Sequence, residues 1–547
     1  MSAALLQLNS IGQEDIYLTS NPEITFFKTT YKKYTNFCIE TLEHTVSGDI
    51  DFGSTMVCSI SKNSDLLSKI FLKIDISAQT SGTNSKVGKW AWINNIGHNI
   101  IDKIIFEIGN HEIDRQYGSW LNIWYELNRN ENHEDGYNKL IGNTSFATTL
   151  TKGTGLEDDK KITLFIPLQF YFCRNYSVSL PLIALDHHDV SIKLNLKDSK
   201  YLINKTNHKN FTIKPKVSNI TLLIDHIFLD TTERRFFSQS SHEYLIEQTQ
   251  YNTYKVNTIN NNFKLTFNSS VKALYWNIIS GKYINQQVYL SNNLETATKK
   301  FILAFFYIDT FDLGTTFQKL NIDSTYPTFE ITHLNAIYQI SLNKNNKNLK
   351  EIVNTAYINR SNVSASNITL ADITVPELLP IDIASIISSK LVDCSDTALF
   401  KENYTPTRIT YTNAEISSED DIVLNDFNNY GIYIDNSVSP IDDAILKLNG
   451  QDRFTKQSGG YFNFVQPYQH FISTPKIGIN CYSFALNPSE YQPSGTCNFS
   501  RFQHINLDLT LKSELDITTN NSFIYIYSTN YNMLKIENGM ANLVYLI

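Results

Sequence analysis

The sequence predicts an all-β protein made of two similar β-domains in tandem. Tyr 31 and Phe 32 stand against Met 4 in a chain whose residues are 42% hydrophobic, a balance that favours strands over helices. The stretches "VSIKLNL" (190 to 196), "INLDLTL" (505 to 511) and "FIYIYS" (523 to 528) alternate apolar with polar residues, the period of a sheet with one buried face. One succession of segments also occurs twice, and 547 residues exceed what a single core usually organises.

In the first half, "FEIGNHEI" (106 to 113) places Gly109 and Asn110 between two strands, the residue types that accept the positive φ of a two-residue hairpin turn. "YGSWLNIWYELN" (117 to 128) follows as a helix with Trp120, Ile123, Trp124 and Leu127 on one face, expected to cap the end of the first sheet pair. Then come the turn-rich "IPLQFYFCRNYSVSLPLIAL" (166 to 185), the strand "HHDVSIKLNL" and closing strands near "NITLLIDHIFLD" (219 to 230). A charged, Ser-containing stretch breaks the pattern and sets a linker at residues 231 to 242. The second half repeats the order with "LKLNGQDRF" (446 to 454), whose turn is Asn449 and Gly450, then "CYSFALNPSEYQPSGTCNFSR" (481 to 501), "FQHINLDLTL" and "NSFIYIYSTNYNMLKI" (521 to 536). Residues 281 to 445 are too long for a connection and read as an insertion with strands of its own, standing out from one end of its domain.

A net charge of -8 provides no global positive field, so direct specific nucleic-acid binding is not expected. The amino terminus lacks a basic flank before an apolar stretch, and runs such as "FILAFFYI" (301 to 308) are far below spanning length; neither secretion nor membrane insertion is expected. Six scattered cysteines without CxxC pairs are expected to be reduced.

No catalytic site, cofactor or metal is expected. In the 481 to 501 stretch, Cys497 or Ser494 would have to serve as nucleophile, but no Gly-x-Ser-x-Gly elbow surrounds them. The structural reading is a shaped corner. Pro488 and Pro493 fix φ, Gly495 permits a bend, Ser494, Thr496 and Asn498 tie the turn by local hydrogen bonds, Cys497 lies within it, and Phe499 and Arg501 lead into the next strand. His187, His188 and Asp189 suggest metal only superficially, because consecutive strand residues point to opposite faces. The carboxylates at 156 to 161 and 417 to 421 read as solvated loops. "FFKTTYKKY" (26 to 34), with Lys28, Lys32 and Lys33, reads as a strand edge with its aromatics buried rather than a lipid or nucleic-acid contact.

Several segments together resemble the major capsid protein of nucleocytoplasmic large DNA viruses, in the manner of the mimivirus and phycodnavirus branch. They include "LLQLNSIGQEDIYLTSNPEITFFKTTYKKYTNF" (5 to 37), "FIPLQFYFCRNYSVSLPLIALDHHDV" (165 to 190), "TERRFFSQSSHEYLIEQ" (232 to 248), "YSFALNPSEYQPSGTCNFSR" (482 to 501) and "YNMLKIENGMANLVY" (531 to 545). The resemblance implies two eight-stranded jelly rolls, residues 25 to 230 and 243 to 547, with an N-terminal arm, residues 1 to 24, facing the capsid interior and the 281 to 445 insertion forming an outer tower. It also implies a homotrimeric, pseudo-hexagonal capsomer that self-assembles with neighbouring capsomers into an icosahedral virion shell. Minor capsid and penton proteins and the internal membrane side would be its other contacts. The rival readings are a minor capsid paralogue of the same fold and a lectin-like or carbohydrate-active sandwich, since fold alone does not decide function.

Overall fold

The computed structural model describes residues 3–81, 88–156, 158–206, 211–281, 284–288, 316–321, 328–333, 336–341, 357–361, 422–432, 436, 438–513, 515, 517 and 521–545. The first roll comprises β1 (Phe37–Thr45), β2 (Thr55–Ile60), β3 (Leu66–Ser81), β4 (Ile101–Ile108), β5 (His111–Tyr117), β6 (Asp159–Pro167), β7 (Val190–Leu196) and β8 (Thr212–Leu229). The second comprises β9 (His242–Val256), β10 (Asn260–Lys264), β11 (Ser270–Ile279), β12 (Ile441–Leu448), β13 (Gln451–Asp452), β14 (Asn480–Ser483), β15 (Ile505–Leu511) and β16 (Ser522–Glu537). Short bridges flank these strands.

The first roll packs a sheet of order β1-β8-β3-β6 against one of order β2-β7-β4-β5. The second packs β9-β16-β11-β14 against β10-β15-β12-β13, the same order with eight added to each number. Both are jelly rolls, and the fold is all-β with a few short helices. Alternation builds each sandwich: β7 and β15 bury every second residue, and what they bury meets the facing sheet. The first core gathers Ile74, Phe106, Leu164 and Ile192. The second gathers Trp276, Phe462, Leu507 and Ile526.

A fifth sheet crosses from one roll to the other. Strands Lys89–Trp92, Thr151–Lys152 and Ile203–Thr206 belong to loops of the first roll. Ile422–Asn425 pairs with Ile203–Thr206, and Ile284–Val288 pairs with Ile422–Asn425, so the two ends of the long excursion of the second roll complete that sheet. Asn425 fixes the seam, its N–H donating to Asn204 Oδ1 at 2.7 Å and its amide to the Ile203 carbonyl at 2.8 Å. The excursion also holds a four-stranded sheet between Thr316 and Ser361. Its expected role as an outer tower and the 417 to 421 carboxylates lie outside the described residues.

Several local expectations meet a different structure. Residues 26 to 34 form no strand, and Phe26, Phe27, Tyr31 and Tyr34 are exposed. The first ladder begins only at Phe37, where β8 offers a partner, and among the described residues no sheet lies over the aromatics upstream. The arm before them forms α1 (Ala3–Asn9) and α2 (Gln13–Thr19) with nothing buried. His187 and His188 occupy a bend ahead of β7, not a strand. Residues 231 to 239 form α4 (Thr231–Gln239) after α3 (Gly118–Asn128), and β9 starts at His242. The strand before the second hairpin begins at Ile441, its pattern obscured by Asp442 and Asp443 between the buried Ile441 and Ala444.

Phe106 is fully buried with ring centroids 5.4 Å from Phe170 and 5.0 Å from Phe172. Phe106→Ala empties that aromatic cluster and is expected to destabilise the first roll by about 3–5 kcal/mol. A shift of less than 1 kcal/mol in a urea unfolding curve would contradict this packing.

Candidate functional site

An aromatic and ionic contact joins the two rolls. The apolar face of α3 does not cap its own sandwich. Trp120, Ile123 and Leu127 lie in a separate cluster with Ala273, Tyr275, Ile279, Cys481 and Tyr527, on the outward face of the β9-β16-β11-β14 sheet. Trp120 meets Tyr275 edge-on at 5.0 Å and Tyr527 at 5.6 Å, and Ser119 and Tyr527 share a hydrogen bond of 2.5 Å between their hydroxyls. The helix satisfies two cores at once, for Leu121 points into that of its own roll. Tyr430, near the returning end of the excursion, closes the cluster and accepts a hydrogen bond from the Asn122 amide at 3.0 Å.

Ionic groups frame the apolar centre. Lys476 of the second roll meets Glu126 of α3 at 2.5 Å. Arg174 of the first roll reaches Glu247 on β9 at 2.5 Å and lies 3.9 Å from the ring centre of Trp124. Glu247 also pairs with Lys272, a fully buried side chain whose pKa burial pulls down to about 8. The edge strands β5 and β9 belong to separate sheets, and side chains bridge them: Asp114 accepts the Thr249 N–H at 2.9 Å, and the Gln248 amide donates to the Ile113 carbonyl. Burial lifts the Asp114 carboxyl to about 7; its hydrogen bonds from Thr249 and Gln116 and the nearby Arg174 guanidinium pull downward without offsetting it.

The 481 to 501 corner adjoins the second roll's counterpart of α3. The Leu486 N–H donates to the Ser494 carbonyl at 3.1 Å and the Asn487 N–H to Ser494 Oγ at 2.9 Å. Pro488 is buried and Pro493 exposed. Gly495 has φ 133°, and a Cβ there would lie 2.8 Å from the Phe484 carbonyl oxygen. Cys497 and Asn498 pair with Val271 and Ser270, burial raises the Cys497 pKa, Asn498 accepts the Ser500 N–H at 3.0 Å, Phe499 is buried and Arg501 exposed. The corner holds a short π-helical and α-helical segment, Tyr461–His470: Gln466 Oε1 accepts the Ser483 N–H at 3.0 Å, and His470 Nδ1 donates to the Leu486 carbonyl at 2.9 Å. At the hairpins, Gly109, Asn110, Asn449 and Gly450 all have positive φ, and Asn449 Oδ1 also accepts the N–H groups of Gln503 and His504. Lys28, Lys32 and Lys33 are exposed on the arm. His188 Nδ1 accepts the Ala541 N–H at 3.1 Å, tying the first roll to the C-terminal strand pair. Among the described residues no group of three or more His, Cys, Asp or Glu is placed to hold a metal.

The joint was not foreseen from the sequence, although a signal exists. "GSWLNIWYEL" (118 to 127) and "GGYFNFVQPY" (459 to 468) share a Gly, an apolar residue three places on and an Asn four places on, each after a hairpin.

Two family descriptions match the chain: "Major capsid protein N-terminus" over residues 25–230 and "Large eukaryotic DNA virus major capsid protein" over residues 233–542. The chain is 33% identical over 577 residues to the major capsid protein of Phaeocystis pouchetii virus, with all of both chains covered. It is 32% identical over 612 residues to capsid protein 1 of Acanthamoeba polyphaga mimivirus, again with full coverage of both. Its fold is similar to that of the PBCV-1 virus capsid, with a TM-score of 0.58 at 24% identity over 96% of this chain and 100% of that one.

Asp114 makes the joint sensitive to pH. Because its folded pKa of about 7 exceeds the ordinary carboxyl value, the folded state keeps a proton that the unfolded chain releases. Its contribution is therefore most favourable near pH 4 and falls as pH rises to about 7. Asp114→Asn removes this slope, so variant and wild type should separate by roughly 2 kcal/mol in the variant's favour between pH 5 and pH 8. Parallel melting curves at the two pH values would refute it.

Proposed function

The chain belongs to the major capsid protein family of large eukaryotic DNA viruses, and on that premise we propose that three copies close into a pseudo-hexagonal capsomer. Its place is the virion, as a structural subunit of the icosahedral shell. The observation that carries the trimer is the exact repetition of strand order in two rolls held at one orientation by the α3 joint and the crossing sheet. Each chain then presents two near-equivalent lobes, and three chains present six, which fills a hexagonal cell with three-fold symmetry alone.

Contacts between capsomers are weaker and many, so that assembly steps stay reversible while the closed lattice persists by avidity. Residues 1 to 24, with Leu6, Leu8, Ile11 and Leu18 exposed, face inward toward minor capsid proteins and the membrane side. The 481 to 501 corner and the two hairpin turns act as shape-setting elements, and the subunit works through surfaces, without catalysis. In support, Ser494 Oγ is engaged by the Asn487 N–H, and Cys497 is part of a strand bridge.

Electron microscopy and native mass measurement of the purified protein test the assembly. Three-fold particles of hexagonal outline and three times the chain mass are expected. Monodisperse monomers at high concentration would overturn the proposal, and a low copy number in purified virions would favour a minor capsid role.

A further inference from the structure

The chain carries one docking segment twice, and in the described structure only the first copy is seated. Gly118 follows β5, and Gly459 follows the bridge Gln457–Ser458 that comes after β13. A Cβ on Gly118 would lie 2.5 Å from the Ile101 carbonyl oxygen, and one on Gly459 would lie 2.3 Å from that of Ile441. Ile101 and Ile441 are the first residues of the equivalent strands β4 and β12, so both glycines approach the corresponding carbonyl, and Gly118 approaches that of His98 as well, 2.0 Å from such a Cβ. Three residues on, Leu121 and Phe462 enter the cores of their own rolls. Four residues on, Asn122 and Asn463 are buried and hydrogen-bonded, Asn463 to the Ile479 carbonyl at 2.7 Å.

The equivalence breaks on the outward side. Trp120, Ile123 and Leu127 are buried against the second roll, whereas their counterparts are the half-buried Tyr461, Phe464 at 46% exposure and Tyr468 at 84%. Leu486, tied to this segment through His470, is exposed beside them.

The sheets that could receive these segments differ in the complementary way. In the second roll β11 is buried on both faces from Val271 to Ile279, its outward Ala273, Tyr275 and Ile279 covered by α3. In the first roll β3 alternates buried with half-buried residues from Ile70 to Ile76. Its outward Phe71 and Lys73 adjoin Leu223 and Phe165 on the neighbouring strands, all only half-buried. Among the described residues, the repeat thus leaves one apolar docking segment without a sheet and one sheet face without a docking segment, a face on which Phe71, Leu223 and Phe165 sit beside the Lys73–Glu43 ion pair.

We infer that the Tyr461–His470 segment of one copy seats on the outward face of the β1-β8-β3-β6 sheet of a second copy, repeating between chains the contact that α3 makes within one. The inference rests on the trimer proposed above and assigns its surfaces. Each chain has one donor and one receiver, and closure after three copies leaves none unfilled.

Complementation tests the assignment. The donor variant is Phe464→Asp with Tyr468→Asp, and the receiver variant is Leu223→Asp; circular dichroism of each checks the fold. Each variant alone is expected to sediment as a monomer, its association weakened about 100-fold or more by a charge placed in an apolar contact. Mixed one to one they are expected to form heterodimers, because the intact donor of one fits the intact receiver of the other, a result that misfolded chains would not give. If the donor pair unfolds, Tyr468→Asp alone carries the test. Variants that remain trimeric, or folded variants that fail to pair when mixed, overturn the surface assignment and leave the trimer standing. A monomeric wild type overturns the trimer itself.

Discussion

Trp120, set edge-on to Tyr275 and against Tyr527, fixes how the two rolls stand to one another. A jelly roll alone can meet a neighbour at any angle its loops permit. A buried aromatic on a helix rooted in one core and pressed on the outer sheet of the next removes that freedom, since close-packed interiors resist sliding. The crossing sheet adds directional hydrogen bonds between the same two bodies. Lobe geometry is therefore a property of the folded chain before any partner arrives, and a tile must have its angles set in this way.

The polar groups at the joint serve specificity more than stability. Glu247 holds both Arg174 and Lys272 away from water, and the desolvation of such charges offsets much of their attraction. What they add is exclusivity: a shifted register would leave a buried charge without a partner. The edges β5 and β9 follow the same logic. Asp114 and Gln248 take up main-chain groups of the opposing strand by side chain, so the rolls abut without merging into one sheet. Two separate sandwiches keep their pseudo-equivalence, which a continuous ladder would abolish.

How much the sequence disclosed follows from what each pattern depends on. "VSIKLNL" and "INLDLTL" announced their strands because period-two burial is local, and Gly109 with Asn110 and Asn449 with Gly450 announced hairpins because positive φ is a property of residue type. The helix at 117 to 128 was legible as a helix with an apolar face, but the sequence does not say which surface that face meets, and it met the other roll. The aromatics of residues 26 to 34 misled for the same reason. Hydrophobicity signals that a residue will be buried somewhere, and among the described residues nothing covers Phe27 and Tyr31. The strand at Ile441 was hidden by two aspartates that face outward within it.

The duplicated motif at Gly118 and Gly459 shows how one solution is used for two purposes. Its inward half, the glycine approach, the core residue and the buried asparagine, is needed wherever this helix leaves a hairpin and folds back on its own roll, and both copies keep it. Its outward half answers to whatever lies beside the roll. In the first copy that neighbour is covalently attached, so its side chains can be as apolar as Trp120 and Leu127 without risk to the free subunit. The second copy is exposed in the chain, awaiting another chain under the proposed docking, and it carries Tyr468, whose hydroxyl tolerates solvent while its ring supplies contact area, where the first has Leu127. The difference between the two copies is thus what a surface must look like when it has to survive alone and still bind.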